Sequence, residues 1–215
     1  MEKLVIFDLD GTILHTIPDI LDSINVMLNH FGHNEVTFNQ VRSFVGHGAK
    51  DLVKKCVGIP LTEEELTERL RFYNDVYDKS NSPKTCLFDG MEEVILTLKN
   101  RGYKLAILSN KPHESTLCVY ERYLKKYNFD YVVGSSANVK CKPDKTAALS
   151  ILEKLNVKKE NAYFVGDGET DVLTFINAEI KGVACLWGYR DKEVLVEVGA
   201  KVFANTPKEL LTLIK

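Results

Sequence analysis

The sequence predicts an α/β fold, a doubly wound parallel sheet carrying one inserted helical subdomain, and three observations lead there. Short runs rich in β-branched and apolar residues recur along the chain, too continuous to alternate, as in strands buried on both faces. Between them lie stretches with the period of amphipathic helices, and strand-helix alternation implies a parallel sheet covered on both sides. The third observation is an exception: from about Thr16 to Ser82 no convincing strand occurs.

Taken in order, "KLVIF" (3–7) reads as the first strand. Helical stretches around 19–31, 39–56 and 62–80 follow, the last opening on Thr62-Glu63-Glu64-Glu65, a capping box. The exits of this segment, Thr16 to Pro18 and "NSPKT" (81–85), are turn-rich enough to serve as hinges. The chain therefore divides into a core of residues 1–15 and 83–215 and a helical subdomain of residues 16–82. In "MEEVILTLKNRG" (91–102) Val94, Ile95 and Leu98 share a stripe and Gly102 ends the helix. "KLAIL" (104–108), "DYVVG" (130–134), "AYFVG" (162–166), "GVACLW" (182–187) and "KVFA" (201–204) supply the remaining strands. "KTAALSILEKL" (145–155) and "TPKELLTLIK" (206–215) are helical, the latter with Thr206 as N-cap, Pro207 at the first position and Glu209 three residues after the cap.

Composition narrows the function classes. With 28 basic and 30 acidic residues, a formal charge of -2 and no basic stripe, nothing favours nucleic acid or an anionic membrane as partner. Five widely spaced cysteines without a C-x-x-C read as reduced thiols. No apolar run approaches the ~18 residues of a membrane span and no cleavable leader is evident, so a cytoplasmic protein is expected. A monomer or homodimer is compatible with the sequence. His30 and His33 read as polar residues near a helix end, and Tyr120, Tyr123 and Tyr127 as a packed face of one helix.

Ligands of a doubly wound sheet bind at the carboxyl ends of its strands. Asp8 and Asp10 follow the first strand, Ser109-Asn110-Lys111-Pro112 follow "KLAIL", Lys142-Pro143 come after "DYVVG" and a loop, and Asp167-Gly168-Glu169-Thr170-Asp171 follow "AYFVG". Singly, each has an ordinary reading as a turn or cap. Together they put carboxylates, a hydroxyl and a lysine on one edge. Clustered carboxylates repel unless a divalent cation sits among them, and oxygen-only ligands point to Mg²⁺. A carboxylate can also be a nucleophile toward phosphorus, and Asp8 is placed for that. Asp10, two residues on, faces the same way and can protonate a leaving oxygen, then activate water. Gly11 lets backbone amides approach a phosphate, Ser109 with Asn110 beside it offers donors, and Lys142 a point charge. Asp167 and Asp171 complete the metal's shell.

"DLDGT", "SN" after the second core strand, "KP" and "GDGETD", in that order, resemble the four motifs of the haloacid dehalogenase superfamily over essentially the whole chain. The resemblance implies a Rossmann-like core, Asp8 as nucleophile, Asp10 as acid/base, Ser109 and Lys142 as phosphate ligands, and Mg²⁺ held by Asp8, the Asp10 carbonyl and Asp167. It also implies a phosphatase, working through an aspartyl-phosphate on a small phosphorylated metabolite, with the helical insert as a type 1 cap. "TIPDI" (16–20), "FVGHGAKDLV" (44–53), "LFDGMEEVILTLKNRG" (87–102), "SNKP" (109–112) and "GVACLWGY" (182–189) are similar to segments of the phosphoglycolate phosphatase branch. In that branch Gly46, His47, Gly48 and Ala49 would form a cap loop recognising the non-phosphate end of the substrate. The chain departs from the branch at His15, where an acid is usual, at Asp144-Lys145 after the Lys-Pro pair, and at Gly168, where serine is commoner. A phosphomutase of the β-phosphoglucomutase kind, a pyrophosphatase or a sugar phosphatase would share this core. A phospho-accepting receiver module also clusters Asp, Ser/Thr and Lys on a parallel sheet, but without a helical insert after its first strand.

Overall fold

The computed structural model describes residues 2–80 and 84–215, so Asn81 to Pro83 of the second expected hinge lie outside the described residues. Strands β1 (Lys3–Phe7), β4 (Tyr103–Pro112), β5 (Tyr131–Ser135), β6 (Ala162–Gly166), β7 (Lys181–Cys185) and β8 (Phe203–Ala204) form one parallel sheet in the order β5-β4-β1-β6-β7-β8. A short antiparallel pair, β2 (Leu14–His15) with β3 (Cys86–Leu87), stands apart. Between β2 and β3 run four helices, α1 (Ile17–His30), α2 (Phe38–Phe44), α3 (Ala49–Val57) and α4 (Glu63–Lys79). The core helices are α5 (Met91–Asn100), α6 (His113–Val119), α7 (Thr146–Lys154), α8 (Glu169–Ala178), α9 (Lys192–Glu197) and α10 (Leu210–Leu213).

The continuous apolar runs are explained by two-sided burial. Val5 and Phe7 of β1, Leu105 and Ile107 of β4 and Val165 of β6 join one cluster, shared with α5 and the inserted helices. Leu4, Ile6, Ala106, Leu108 and Phe164 join a second, against α7 and α8. Because β1 lies between β4 and β6, the sheet changes winding direction there, and the crevice at such a switch point is where ligands of this architecture sit.

Several elements depart from the expectation. The helix expected over 39–56 is two helices, since Gly46 (φ +122°) and Gly48 (φ +92°) adopt backbone angles a helix cannot use. The capping box at Thr62 forms: its hydroxyl accepts from Glu65 N and the Glu65 carboxylate accepts from Thr62 N. The one expected at Thr206 does not, because the Glu209 carboxylate is taken by the backbone and side-chain amides of Asn205, and the chain turns tightly over Pro207–Glu209 before α10. The three tyrosines do pack, yet not on one α-helix: a wider turn covers Tyr120–Leu124 and a tighter one Lys125–Tyr127. His30 closes α1 and stacks on Phe72, while His33 accepts from Arg69. No described helix is long and apolar enough to cross a membrane.

Candidate active site

The floor of the site is built by the chain leaving β1. Asp8 N extends the ladder to Val165 O at 2.9 Å. Leu9 O then accepts from the amides of Thr12, Ile13 and Leu14, coiling residues 9–14 into a tight loop. Gly11 makes the loop possible: its φ is +94°, and an added Cβ would fall inside the Asp167 carboxylate. Gly188 makes an equally close approach to Asp167. The Asp167 Oδ1 accepts from the Thr12 hydroxyl and its Oδ2 from the Tyr189 amide, each at 2.8 Å.

Lys142 ties the acids together. Its ammonium donates to Asp8 Oδ1 and to Asp171 Oδ1, both at 2.6 Å, and Asp171 Oδ2 accepts from Gly168 N at the start of α8. Asn110 fixes the loop that carries this lysine: its carboxamide accepts from Lys142 N at 2.7 Å, donates to Lys142 O at 3.1 Å and donates to Gly46 O at 2.9 Å. The Asn110 side chain, expected among the phosphate donors, is thus engaged with backbone. Ser109 Oγ accepts from Lys111 N at 3.1 Å, which leaves its own proton available to a ligand.

Asp8, Asp167 and Asp171 each offer an oxygen within 4.8 Å of the others. Three buried carboxylates against one ammonium leave a negative excess, and the protein pays for it in proton affinity. Burial, reinforced by Asp171 and Asp167, raises Asp8 despite the opposing pull of Lys142. Burial and Asp171 push Asp167 up to about 7, held back by its bonds from Tyr189 and Thr12. Burial alone would lower Lys142, but Asp171 and Asp8 outweigh it and hold the lysine above its ordinary value, so it stays charged. An oxygen-only donor set with uncompensated negative charge fits a hard divalent cation such as Mg²⁺. The Asp10 carboxylate stands outside this trio. Its Oδ2 pairs with Lys111 Nζ at 3.3 Å and its Oδ1 is buried without a hydrogen-bond partner.

Above the floor lies a cavity of about 60 Å³, counted as space open to the centres of water-sized molecules. At ~10–15 Å³ each this holds only a few waters, and so admits only a small ligand. Asp8, Asp10, Ser109 and Lys142 line its base, while Val45, Leu52, Tyr73 and Tyr77 come from the inserted helices and their loops. Gly46, Gly48 and Ala49 also line it, but the His47 ring turns away, 3.7 Å from Glu169 Oε1.

A second network sequence reasoning missed joins the inserted helices to the sheet. Arg190 donates to Glu169 Oε2 and to Arg42 O, both at 2.8 Å, and to Val45 O, so a core side chain caps the carbonyl end of α2. Asp19 of α1 accepts from Thr85 N and Oγ1 at 2.8 and 2.5 Å. His15 sits among Phe38, Phe88 and Tyr189, and burial lowers it, keeping the ring neutral. Lys145 is exposed, so the departure after the Lys-Pro pair lies on the outer surface.

Comparison with known proteins agrees with this geometry. Residues 5–185 match the family model described as haloacid dehalogenase-like hydrolase. A phosphoglycolate phosphatase of Vibrio parahaemolyticus is 30% identical over 99% of this chain and 96% of its own length. Phosphoglycolate phosphatase 1 of Pseudomonas aeruginosa is 27% identical over 98% of this chain and 79% of its own. Among solved structures, a Lactobacillus delbrueckii subsp. bulgaricus protein provisionally named a phosphoglycolate phosphatase superposes with a TM-score of 0.89 at 29% identity, covering 100% of this chain and 99% of that one.

Proposed function

The chain belongs to the haloacid dehalogenase-like hydrolases, and from that premise we propose that it is a Mg²⁺-dependent phosphatase that cleaves a small phosphomonoester, of the phosphoglycolate kind, through an aspartyl-phosphate on Asp8. One observation carries the reading: Asp8, Asp167 and Asp171 converge at the switch point of the sheet, with Lys142 bound to Asp8 and Asp171, under a cavity that admits only a small ligand.

Asp8 attacks phosphorus while Ser109 Oγ and Lys142 Nζ bind the phosphoryl oxygens, so charge spreading onto those oxygens meets donors already in place. Asp10 gives a proton to the departing oxygen; it then takes one from a water that attacks the phosphorus, which releases phosphate and restores the Asp8 carboxylate. Asp8, the Asp10 carbonyl and Asp167 would hold Mg²⁺, with Asp171 behind them. When bound, the cation neutralises the acids and favours an ionised Asp8. Helices α1 to α4, residues 16–82, act as a cap that excludes bulk water, with Gly46, Gly48 and Ala49 shaping the roof.

Phosphate release from a panel of phosphorylated compounds, among them 2-phosphoglycolate, β-glucose 1-phosphate, nucleotides and the anhydride pyrophosphate, tests the reading, with Mg²⁺ present and Asp8→Asn as blank. Turnover should favour 2-phosphoglycolate and fall by ~10⁴-fold or more in Asp8→Asn, whose amide is no nucleophile. Asp8→Asn turnover near wild type would remove Asp8 from this role.

A further inference from the structure

The cavity is lined by three basic side chains, and two are each held by two or more protein acceptors. Lys142 is bound by Asp8 and Asp171, and Arg190 by Glu169 and two backbone carbonyls. Lys111 differs. Among the described residues its ammonium has one polar partner, Asp10 Oδ2 at 3.3 Å, and otherwise lies over the Tyr77 ring, 4.3 Å from the centroid. An ammonium carries three N–H donors, so Lys111 has donating capacity to spare. Its side chain is only 7% exposed, and a buried cation is costly wherever its donors stay unmet.

Position gives this spare capacity a direction. Ser109 and Lys111 stand two residues apart at the end of β4 and both line the cavity. Ser109 lies on the phosphate side with Lys142. Lys111 lies against Asp10, the group that protonates the departing oxygen, and so faces the leaving group. Gly46, Gly48 and Ala49 bring no charge to that end, and Leu52, Tyr73 and Tyr77 make its wall apolar and aromatic. A negative group on the substrate would find in Lys111 the least engaged of the cavity's cations.

Resting on the phosphatase reading above, we propose that Lys111 is the specificity-determining residue, binding a second anionic group, a carboxylate, carried by the leaving group of a small phosphomonoester. The residue that reads the substrate then lies in the core, two positions after Ser109, while the loop at 46–49 supplies shape.

The test is the ratio of kcat/KM for 2-phosphoglycolate to that for its uncharged amide, 2-phosphoglycolamide, measured in wild type and in Lys111→Met. Wild type should prefer the acid by about 100-fold, and Lys111→Met should compress the preference to within about threefold. Taking the ratio cancels any general damage through Asp10, because both substrates need that residue. A ratio that stays at the wild-type value in Lys111→Met, or a wild-type ratio already within about threefold, overturns the proposal. Should Lys111→Met fail to fold by circular dichroism, Lys111→Gln takes its place under the same criteria. Phosphate release that depends on Asp8 but ignores substrate charge would reject Lys111 alone, whereas no Asp8-dependent release from any phosphomonoester would reject the phosphatase reading with it.

Discussion

The floor of the cavity and the seam above it are held together by opposite means. On the floor, acids that repel one another are pinned by backbone amides, a hydroxyl and Lys142, with glycine-sized gaps around Asp167. Along the seam, complementary pairs link the inserted helices to the sheet: Arg190 to the carbonyls of Arg42 and Val45, Asn110 to Gly46, and Asp19 to Thr85. The floor carries an uncompensated negative charge; the seam matches donors to acceptors, with Asp19 Oδ1 as an exception.

That contrast can be broken on the floor with one methyl group. Gly11→Ala combines a backbone angle unfavourable to alanine with a Cβ inside the Asp167 carboxylate, and should cut kcat/KM by ~100-fold, as a displacement of about 1 Å in an active site does. Near-wild-type kinetics would mean that Asp167 is not held as tightly as its two bonds suggest.

The seam should yield less. Arg190→Ala removes two bonds between core and inserted helices and one to Glu169, and should raise KM by about tenfold while kcat changes by less than about threefold, because no reacting atom is touched. Equal losses in kcat would move Arg190 into the chemistry and erase the distinction.

The smallest effect separates the regions by pH. In metal-free protein the Asp167 carboxyl, raised to about 7, keeps a proton that the unfolded chain releases near 3.8. A raised folded value stabilises at low pH and is lost as pH climbs through it. In a chelator the melting temperature should therefore fall by several degrees between pH 6 and 8, at ~2–4 °C per kcal/mol for a chain of this size, and added Mg²⁺ should flatten that slope. Asp167→Asn should lessen the slope, leaving the part that the raised Asp8 contributes, and Arg190→Ala should keep it.

How much was legible follows the same division. The floor was readable because each acid, the serine and Lys142 ends a strand or loop in a short local motif, and alternation fixed which edge of the sheet they share. Asp8, Asp10, Ser109, Lys142, Asp167 and Asp171 could all be named from spacing and residue type. The seam was not. Arg190 with Val45, Asp19 with Thr85 and Asn110 with Gly46 are single residues far apart in the chain, and no local pattern announces which will meet. Lys111 stands inside "SNKP" with nothing in the local pattern to mark it, since its significance lies in the one partner it has and the two donors it keeps. The break between α2 and α3 did carry a signal, two glycines at 46 and 48, which helical periodicity on either side masked.

The central claim is that Asp8 bonds to phosphorus, and the most direct measurement looks for that bond. Wild-type protein turning over 2-phosphoglycolate with Mg²⁺ is quenched in acid, treated with borohydride, which reduces an acyl phosphate to an alcohol, and digested for mass spectrometry. Homoserine at position 8, absent in Asp8→Asn and in protein without substrate, is the expected result. An unmodified Asp8 in protein that is releasing phosphate would contradict the account.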